Sequence, residues 1–354
     1  MKLKPLFAVL ASAVLFGVST PLAKLLLGGI PPVALAGLLY AGVFLGLAIY
    51  RGAAGWAGQR GRSRRSAREA PLDKRDWPWL GGAILAGGIA APICLMLGLG
   101  RVTGFAGSLL LNFEAAATAL IAVLLFKENA GRRVWAALAL MTAGGVLLSW
   151  NSGRGRLAFA GPVLVLAAMA GWGLDNNLTR QISNKDPVQI AMVKGLVSGA
   201  FSLVLAFSMG RGFALNLSVL GGLAVGALCY GLSLVLFIKG LKGLGAFRTG
   251  ALFSLAPFAG ALASVFVLGE KVGLGMAGAG LLMAAAVALV VREKHAHAHH
   301  HDRVVHAHAH VHSDLHHVHR HEGEAPESHV HEHVHEETDH LHGHWPDVDH
   351  RHTH

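Results

Sequence analysis

Apolar stretches separated by short polar punctuation recur ten times along residues 1–294. They fall near 5–28, 31–50, 78–99, 104–126, 132–150, 159–180, 187–208, 217–238, 246–268 and 273–291. A helix needs about 20 mostly apolar residues to cross the hydrocarbon layer, so each stretch predicts a membrane-spanning helix. Most boundaries are marked: Pro31-Pro32 follows the first run, Arg132-Arg133 precedes the fifth and Asp186-Pro187 precedes the seventh. Connections are short except for 51–77. A soluble helical protein has no reason to string together ten such runs nearly free of charge. The chain starts like a signal peptide, with Lys2, Lys4 and the small residues Ala11-Ser12-Ala13. The apolar run continues well past them and belongs to the tenfold pattern, so it is read as a span.

The pattern repeats internally. Residues 98–105 read Gly-Leu-Gly-Arg-Val-Thr-Gly-Phe and residues 240–247 read Gly-Leu-Lys-Gly-Leu-Gly-Ala-Phe, an offset of 142 that also carries Glu128 onto Glu270. Earlier in each half the offset is 156, bringing Phe16-Gly17 onto Trp172-Gly173 and Lys24 onto Arg180. Residues 1–150 and 151–294 therefore read as two copies of a five-helix unit. Five is odd, so the second copy enters the membrane from the opposite side. Inverted copies related by an axis in the membrane plane suit alternating access, because exchanging their conformations turns an inward-open state into an outward-open one.

Composition divides the chain into two polymers. Charged residues make up 14% of the whole, against about 25% in a soluble domain. The body, 1–294, carries 27 Lys and Arg against nine acids, whereas 295–354 holds all 23 histidines, eleven acids and three arginines. Two cysteines, Cys94 and Cys229, exclude a disulfide framework and read as apolar filler. With the N-terminus inside, twenty Lys and Arg fall in inner loops and five in outer ones. That bias predicts a multi-pass inner (plasma) membrane protein with both termini in the cytoplasm. The cluster Arg60 to Arg68 anchors this topology on anionic headgroups, so the net charge of +10 does not indicate nucleic acid.

Two halves of five spans, an aromatic-Gly then Lys element in span 1 and apolar-Glu ends of spans 4 and 9 together resemble the EamA-domain proteins of the drug/metabolite transporter superfamily. The resemblance covers about residues 5–292. It implies ten helices around a central cavity and transport of small polar metabolites, amino acids or drugs without ATP. The sequence departs from the pattern at Ala115, where the family often has Pro (Pro257 keeps it in span 9), and at Arg180, where Lys is usual. The fold expected is thus an all-α membrane protein of ten transmembrane helices in two inverted repeats, followed by a disordered His-rich tail over 295–354.

An ionisable group in mid-bilayer costs roughly 2.5–3.5 kcal/mol on insertion scales, which makes it a functional candidate. Glu114, beside Asn112 in span 4, is positioned to bind a cation or carry a proton. Asp175 and Asn176 in span 6 are deep polar groups, or lie nearer the cytoplasmic mouth if the span ends early. Trp172 suits either a cavity wall or an interfacial belt. Lys24 and its repeat mate Arg180 fall at opposite ends and could serve matching gates or snorkel to headgroups. Lys194 in span 7 is a further candidate for the cavity wall. These eight residues form the expected transport pathway. Pro21, Pro92 and Pro257 each free a carbonyl within a span. The pairs Gly42/Gly46, Gly195/Gly199 and Gly222/Gly226 mark close helix packing. Glu128 and Glu270 end spans 4 and 9 in hydrogen-bonding roles.

The tail is rich in candidate metal ligands. They are His295, His297, His299, His300 and His301, then His306, His308, His310 and His312. Next come His316, His317, His319 and His321, then His329, His331, His333 and His335, and finally His340, His342 and His344. Few apolar residues accompany them, which predicts disorder. Neutral imidazole suits zinc, nickel, cobalt and copper, and interleaved acids concentrate cations. His331-Glu332 through His335 satisfies a protease zinc motif, but that motif needs a rigid helix. No Gly-rich phosphate loop is present. No enzyme activity or required cofactor is expected.

The leading reading is a secondary transporter, an exporter of small polar metabolites or drugs, with a metal-binding cytoplasmic tail. A divalent metal transporter is the alternative, disfavoured because the spans contain no His and only Glu114 and Asp175 as deep carboxylates. A membrane-anchored metal store or sensor comes third, since it has no use for an inverted repeat. The expected partners are the lipid bilayer, a small-molecule or ion substrate and divalent metal ions, with homodimer formation left open and no nucleic acid.

Overall fold

The computed structural model describes residues 3–60, 70–126, 132–150, 159–183, 185–214, 216–244, 246–291, 296–301, 304–310, 329–335 and 338–343. The described elements of the body are helices. Its first half contains α1 (Leu3–Leu26), α2 (Pro32–Arg60), α3 (Trp77–Ala83), α4 (Ala91–Leu99), α5 (Gly104–Leu110), α6 (Phe113–Phe126) and α7 (Arg132–Trp150). Its second half contains α8 (Ala160–Arg180), α9 (Pro187–Ser208), α10 (Leu217–Val225), α11 (Ser233–Leu244), α12 (Ala246–Phe253), α13 (Ala256–Leu268) and α14 (Leu274–Val291).

Among the described residues, seven helices, counting those broken internally as one, are long and apolar enough to cross a membrane: Lys4–Leu26, Pro32–Ala53, Trp77–Leu99, Gly104–Leu125, Pro187–Ser208, Leu217–Leu241 and Thr249–Leu268. Helices α7 and α14 hold the shorter apolar stretches Trp135–Leu148 and Leu274–Leu289. The remaining expected span, α8, carries Asp175, Asn176, Asn177, Thr179 and Arg180 in its last turns, which lowers its hydropathy.

Four apolar runs are not single α-helices, as the pattern alone suggests. Ile84–Ala90 joins α3 to α4 as a π-helical segment, and Gly226–Leu232 joins α10 to α11 in the same way. Both are glycine-containing, and Pro92 follows the first. The other two runs break at Leu111-Asn112, between α5 and α6, and at Ser254-Leu255, between α12 and α13. At these breaks side chains take up backbone carbonyls: Asn112 Nδ2 donates to Leu109 O at 2.9 Å and Ser254 Oγ to Ala251 O at 2.7 Å.

Packing follows a regular scheme. Helix α1 lies against α13 and α11, while α8 lies against α6 and α4; α2 pairs with α9, α7 with α14 and α5 with α13. Small residues set the tightest crossings, as close approach in an apolar medium requires. A Cβ on Gly17 would stand 2.2 Å from Ala256 O, and one on Gly226 would stand 2.1 Å from Leu39 O. The largest buried cluster includes Leu35, Leu39, Leu95, Leu99, Leu109 and Met169.

The expectation of a wholly disordered tail is corrected over part of its length. Strands β1 (Ala296–His301) and β4 (Thr338–Gly343) pair antiparallel, as do β2 (Val304–His310) and β3 (His329–His335). Their register sets His297 opposite His342, His299 opposite His340 and His308 opposite His331. The reason is the two-residue alternation of His with Ala and Val, which matches the strand period. His295, His312, His316, His317, His319, His321, His344, Glu128 and residues 61–69 of the basic loop lie outside the described residues.

Candidate functional site

Helices α6, α8 and α9 bring a polar cluster into the middle of the body. Asp175 stands on α8 one turn before Thr179, which donates to its Oδ1 at 2.8 Å. Lys194, seven residues into α9, donates to both carboxylate oxygens at 2.6 and 2.5 Å. The two side chains are 9% and 15% exposed, so each is nearly out of solvent and depends on the other for neutralisation. Glycine makes room for the pair: a Cβ on Gly87, in the first π segment, would stand 2.0 Å from Asp175 Oδ2.

Glu114, in the first turn of α6, accepts a hydrogen bond from Asn176 Nδ2 at 3.0 Å. The same amide reaches Thr118 Oγ1 at 3.1 Å, and Asn177 Nδ2 donates to Thr118 O at 3.0 Å. Lys194 acts on Glu114 electrostatically, but its hydrogen bonds go to Asp175. The cluster therefore holds two carboxylates and one ammonium, with a neutral amide on the second carboxylate. Asn176 is exposed and Glu114 part-buried.

The Gly87 carbonyl ties this cluster to two aromatic side chains. Tyr40 Oη donates to it at 2.7 Å and Trp172 Nε1 at 3.0 Å. The wider turn of a π segment leaves such a carbonyl available. Trp172 is 7% exposed, which corrects the interfacial-belt alternative. Helix α8 continues to Arg180, so Asp175 and Asn176 lie within it.

Other expected pathway residues lie apart. Lys24 turns its ammonium onto Leu99 O at 2.8 Å and Val102 O at 2.5 Å, near Glu270. It is held by protein carbonyls. The Glu270 carboxylate accepts from the N–H groups of Gly104 and Phe105 at 2.6 and 2.8 Å, capping α5 from the other half of the chain. Asn112 is buried at the α5–α6 break, and Arg180 closes the last turn of α8.

Residues 70–76, before α3, and Lys185-Asp186, before α9, form a polar clasp. Lys185 Nζ lies 2.9 Å from Asp73 and 3.1 Å from Asp76, Arg51 meets Asp186 at 2.5 Å, and Asp186 N donates to Ala70 O at 3.1 Å. The hydrogen bond from Lys185, and then that from Arg75 N, holds the Asp73 carboxyl below its ordinary range. The hydrogen bonds to Asp73 and Asp76 hold Lys185 above its own.

Sequence reasoning missed Tyr40, Thr118, Thr179 and Gly87. Only tyrosine gave a signal: Tyr40 and Tyr230 fall in the interior of apolar runs, whereas Tyr50 ends one. Among the described residues no group of three or more His, Cys, Asp or Glu could hold a metal ion. A groove of about 940 Å³ on the flank of α7, between Trp135 and Leu147, is apolar apart from Thr142 and lacks ionisable side chains.

The EamA-like transporter family matches this chain over residues 3–150 and 159–292. The chain is 29% identical over 271 residues to an uncharacterized transporter of Methanothermobacter thermautotrophicus, covering 74% of this chain and 79% of that protein. A solved structure described only as "Crystal structure of protein" superposes on 80% of this chain and 94% of its own, with a TM-score of 0.55 and 20% identity. That last likeness is one of fold alone.

Proposed function

The chain belongs to the EamA-like transporter family, and from that premise we propose that it is a secondary-active exporter of small polar metabolites or drugs, coupled to protons through Glu114. Asp175 spends its charge on Lys194, whereas Glu114 has only an amide donor. This surplus carboxylate is the observation that carries the reading. A proton or a cationic group must neutralise it whenever the cavity closes, because an unpaired charge out of water is costly. Binding from one side and release to the other couples the ion to substrate movement.

Ten spans in two inverted repeats supply the alternation. The two π segments begin 142 residues apart, at Ile84 and Gly226, and the two helix breaks recur within one residue of that spacing. The packing of α1 on α13 and α11 has its counterpart in α8 on α6 and α4. These correspondences support the inverted repeat derived from the motifs. The Lys and Arg bias supports an inner-membrane location with both termini cytoplasmic. The tail binds zinc, nickel, cobalt or copper there through its histidines, as a buffer or sensor.

The test compares export by cells making the full chain and its Glu114→Gln variant. A metabolite should accumulate in the medium with the full chain, faster under an imposed pH gradient, and the variant should insert normally and lose both effects. Export by the variant with unchanged pH dependence refutes the role of Glu114. Cellular nickel, cobalt and zinc, measured for the full chain, residues 1–294 and Glu114→Gln, separate the metal-transport alternative. A metal change abolished by Glu114→Gln would favour that alternative; metal that tracks the tail alone marks it as a store.

A further inference from the structure

The residues around Glu114 form two chemically different walls. One, on α6, α8 and α9, carries Glu114, Asp175, Asn176 and Lys194. The other, on α1, α12 and the second π segment, carries Phe16, Phe253 and Tyr230. The Phe16 ring lies 5.5 Å from Tyr230, 5.4 Å from Phe253 and 6.4 Å from Trp172. Trp172 and Tyr40 join the walls through the Gly87 carbonyl. Asn176, which donates to Glu114 at 3.0 Å, stands one turn after Trp172 on α8, so the carboxylate and the rings meet along the same helix. Phe16, Tyr40, Tyr230 and Phe253 are all part-buried, not sealed in a core.

The division follows the repeat. Two matching positions differ in kind, Asp175 answering to Ser19 and Glu114 to Ala256, whereas Trp172 answers to another ring, Phe16. Fold symmetry alone would equip both halves alike, so the charge on one wall and the rings on the other reflect what lies between them.

We propose that these walls form a bipartite substrate site for an amphipathic organic cation, its protonated amine on Glu114 and its flat apolar body against Phe16, Tyr230 and Phe253. The proposal rests on the reading of Glu114 as the transport carboxylate and adds the class of molecule carried. Two carboxylates and one ammonium leave a single negative charge, which matches one positive head. Aromatic faces attract cations and stack on flat rings. A zwitterion fits less well, because its carboxylate would face Glu114 or compete with Asp175 for Lys194. A bare divalent ion would find one free carboxylate, too few oxygen ligands for dehydration. Glu114 then holds the proton and the amine alternately, which is what exchange requires.

The test is equilibrium binding to the detergent-solubilised full chain with no gradient. Radiolabelled tryptamine is the probe; ethylamine, tryptophol and tryptophan are competitors that lack the ring, lack the charge and add a carboxylate. Tryptamine should bind, and each competitor should be weaker by about 10-fold or more, the effect expected from losing one cation–π or charge contact. Glu114→Gln and, separately, Phe16→Leu should each weaken tryptamine by about 10-fold with an unchanged melting temperature. Tryptophol or tryptophan matching tryptamine would overturn the proposal, as would full affinity in both variants. Absence of tryptamine binding with intact pH-driven export of another molecule overturns the site and spares the coupling. Binding as described without pH-driven export does the reverse.

Discussion

Removing one member of the Asp175–Lys194 pair should damage the protein far more than removing both. The pair is 9% and 15% exposed and joined by two hydrogen bonds of 2.5–2.6 Å. At an effective dielectric of about 20 the attraction of such charges is about 4 kcal/mol, much of it offset by desolvation. Lys194→Met leaves the Asp175 carboxylate with Thr179 as its remaining side-chain donor, and Asp175→Asn leaves a buried ammonium facing an amide. Breaking a buried pair in this way costs about 3–5 kcal/mol. In the double variant no charge is stranded, and the cost should fall to about 1 kcal/mol or vanish. The assay is a double-mutant cycle on melting temperature in detergent, in which each single variant should drop by roughly 10 °C and the double variant by much less. Additive losses would mean that the two side chains do not depend on each other, and the geometry described for the site would be wrong.

Three further outcomes follow from packing and charge. Gly226→Val should destabilise by about 1–3 kcal/mol or prevent folding, because its Cβ meets the Leu39 backbone. Gly81→Ala, with nothing within 4 Å of its Cβ, should be neutral or stabilising by about 0.5–1 kcal/mol; equal effects in a thermal melt would contradict the packing. Glu270→Gln should cost about 1–2 kcal/mol by weakening the charge-assisted cap on Gly104 and Phe105, and hydrogen exchange at these two amides should rise. The clasp predicts a pH profile. The Asp73 pKa is lowered, so its contribution is present above 3.8 and is lost as pH falls through the folded value. The Lys185 pKa is raised, so its contribution is present below 10.5 and is lost as pH rises through the folded value. Asp73→Asn should flatten the acid limb of stability against pH, and an unchanged limb would remove the clasp as its cause.

The spans and the repeat were legible because they are written in local composition. Runs of Leu, Ala and Gly between charged turns need no partner to be recognised, and an offset of 142 is visible as letters. Glu114 and Asp175 stood out because acids are expensive in an apolar run. Lys194 ranked low for the opposite reason. A single Lys seven residues into a span looks like a residue that snorkels, and nothing nearby in sequence announces that Asp175, nineteen residues away, receives it. Gly87 and Tyr40 were invisible as site residues, since a glycine among 46 and a tyrosine in an apolar run acquire meaning only when they meet. In the tail the alternation of His with Ala and Val was read through its low apolar content; the period of two, which favours pairing, was in the same letters.

Which segments cross the bilayer, and how the two halves correspond, is thus set by residue type along the chain, because transfer out of water is a property of each segment by itself. Which charges pair and which one is left over was decided only by the tertiary structure. Distances between side chains on α6, α8 and α9 depend on how those helices pack. A missing Cβ at Gly87 lets Asp175 take Lys194, which leaves Glu114 with the amide of Asn176.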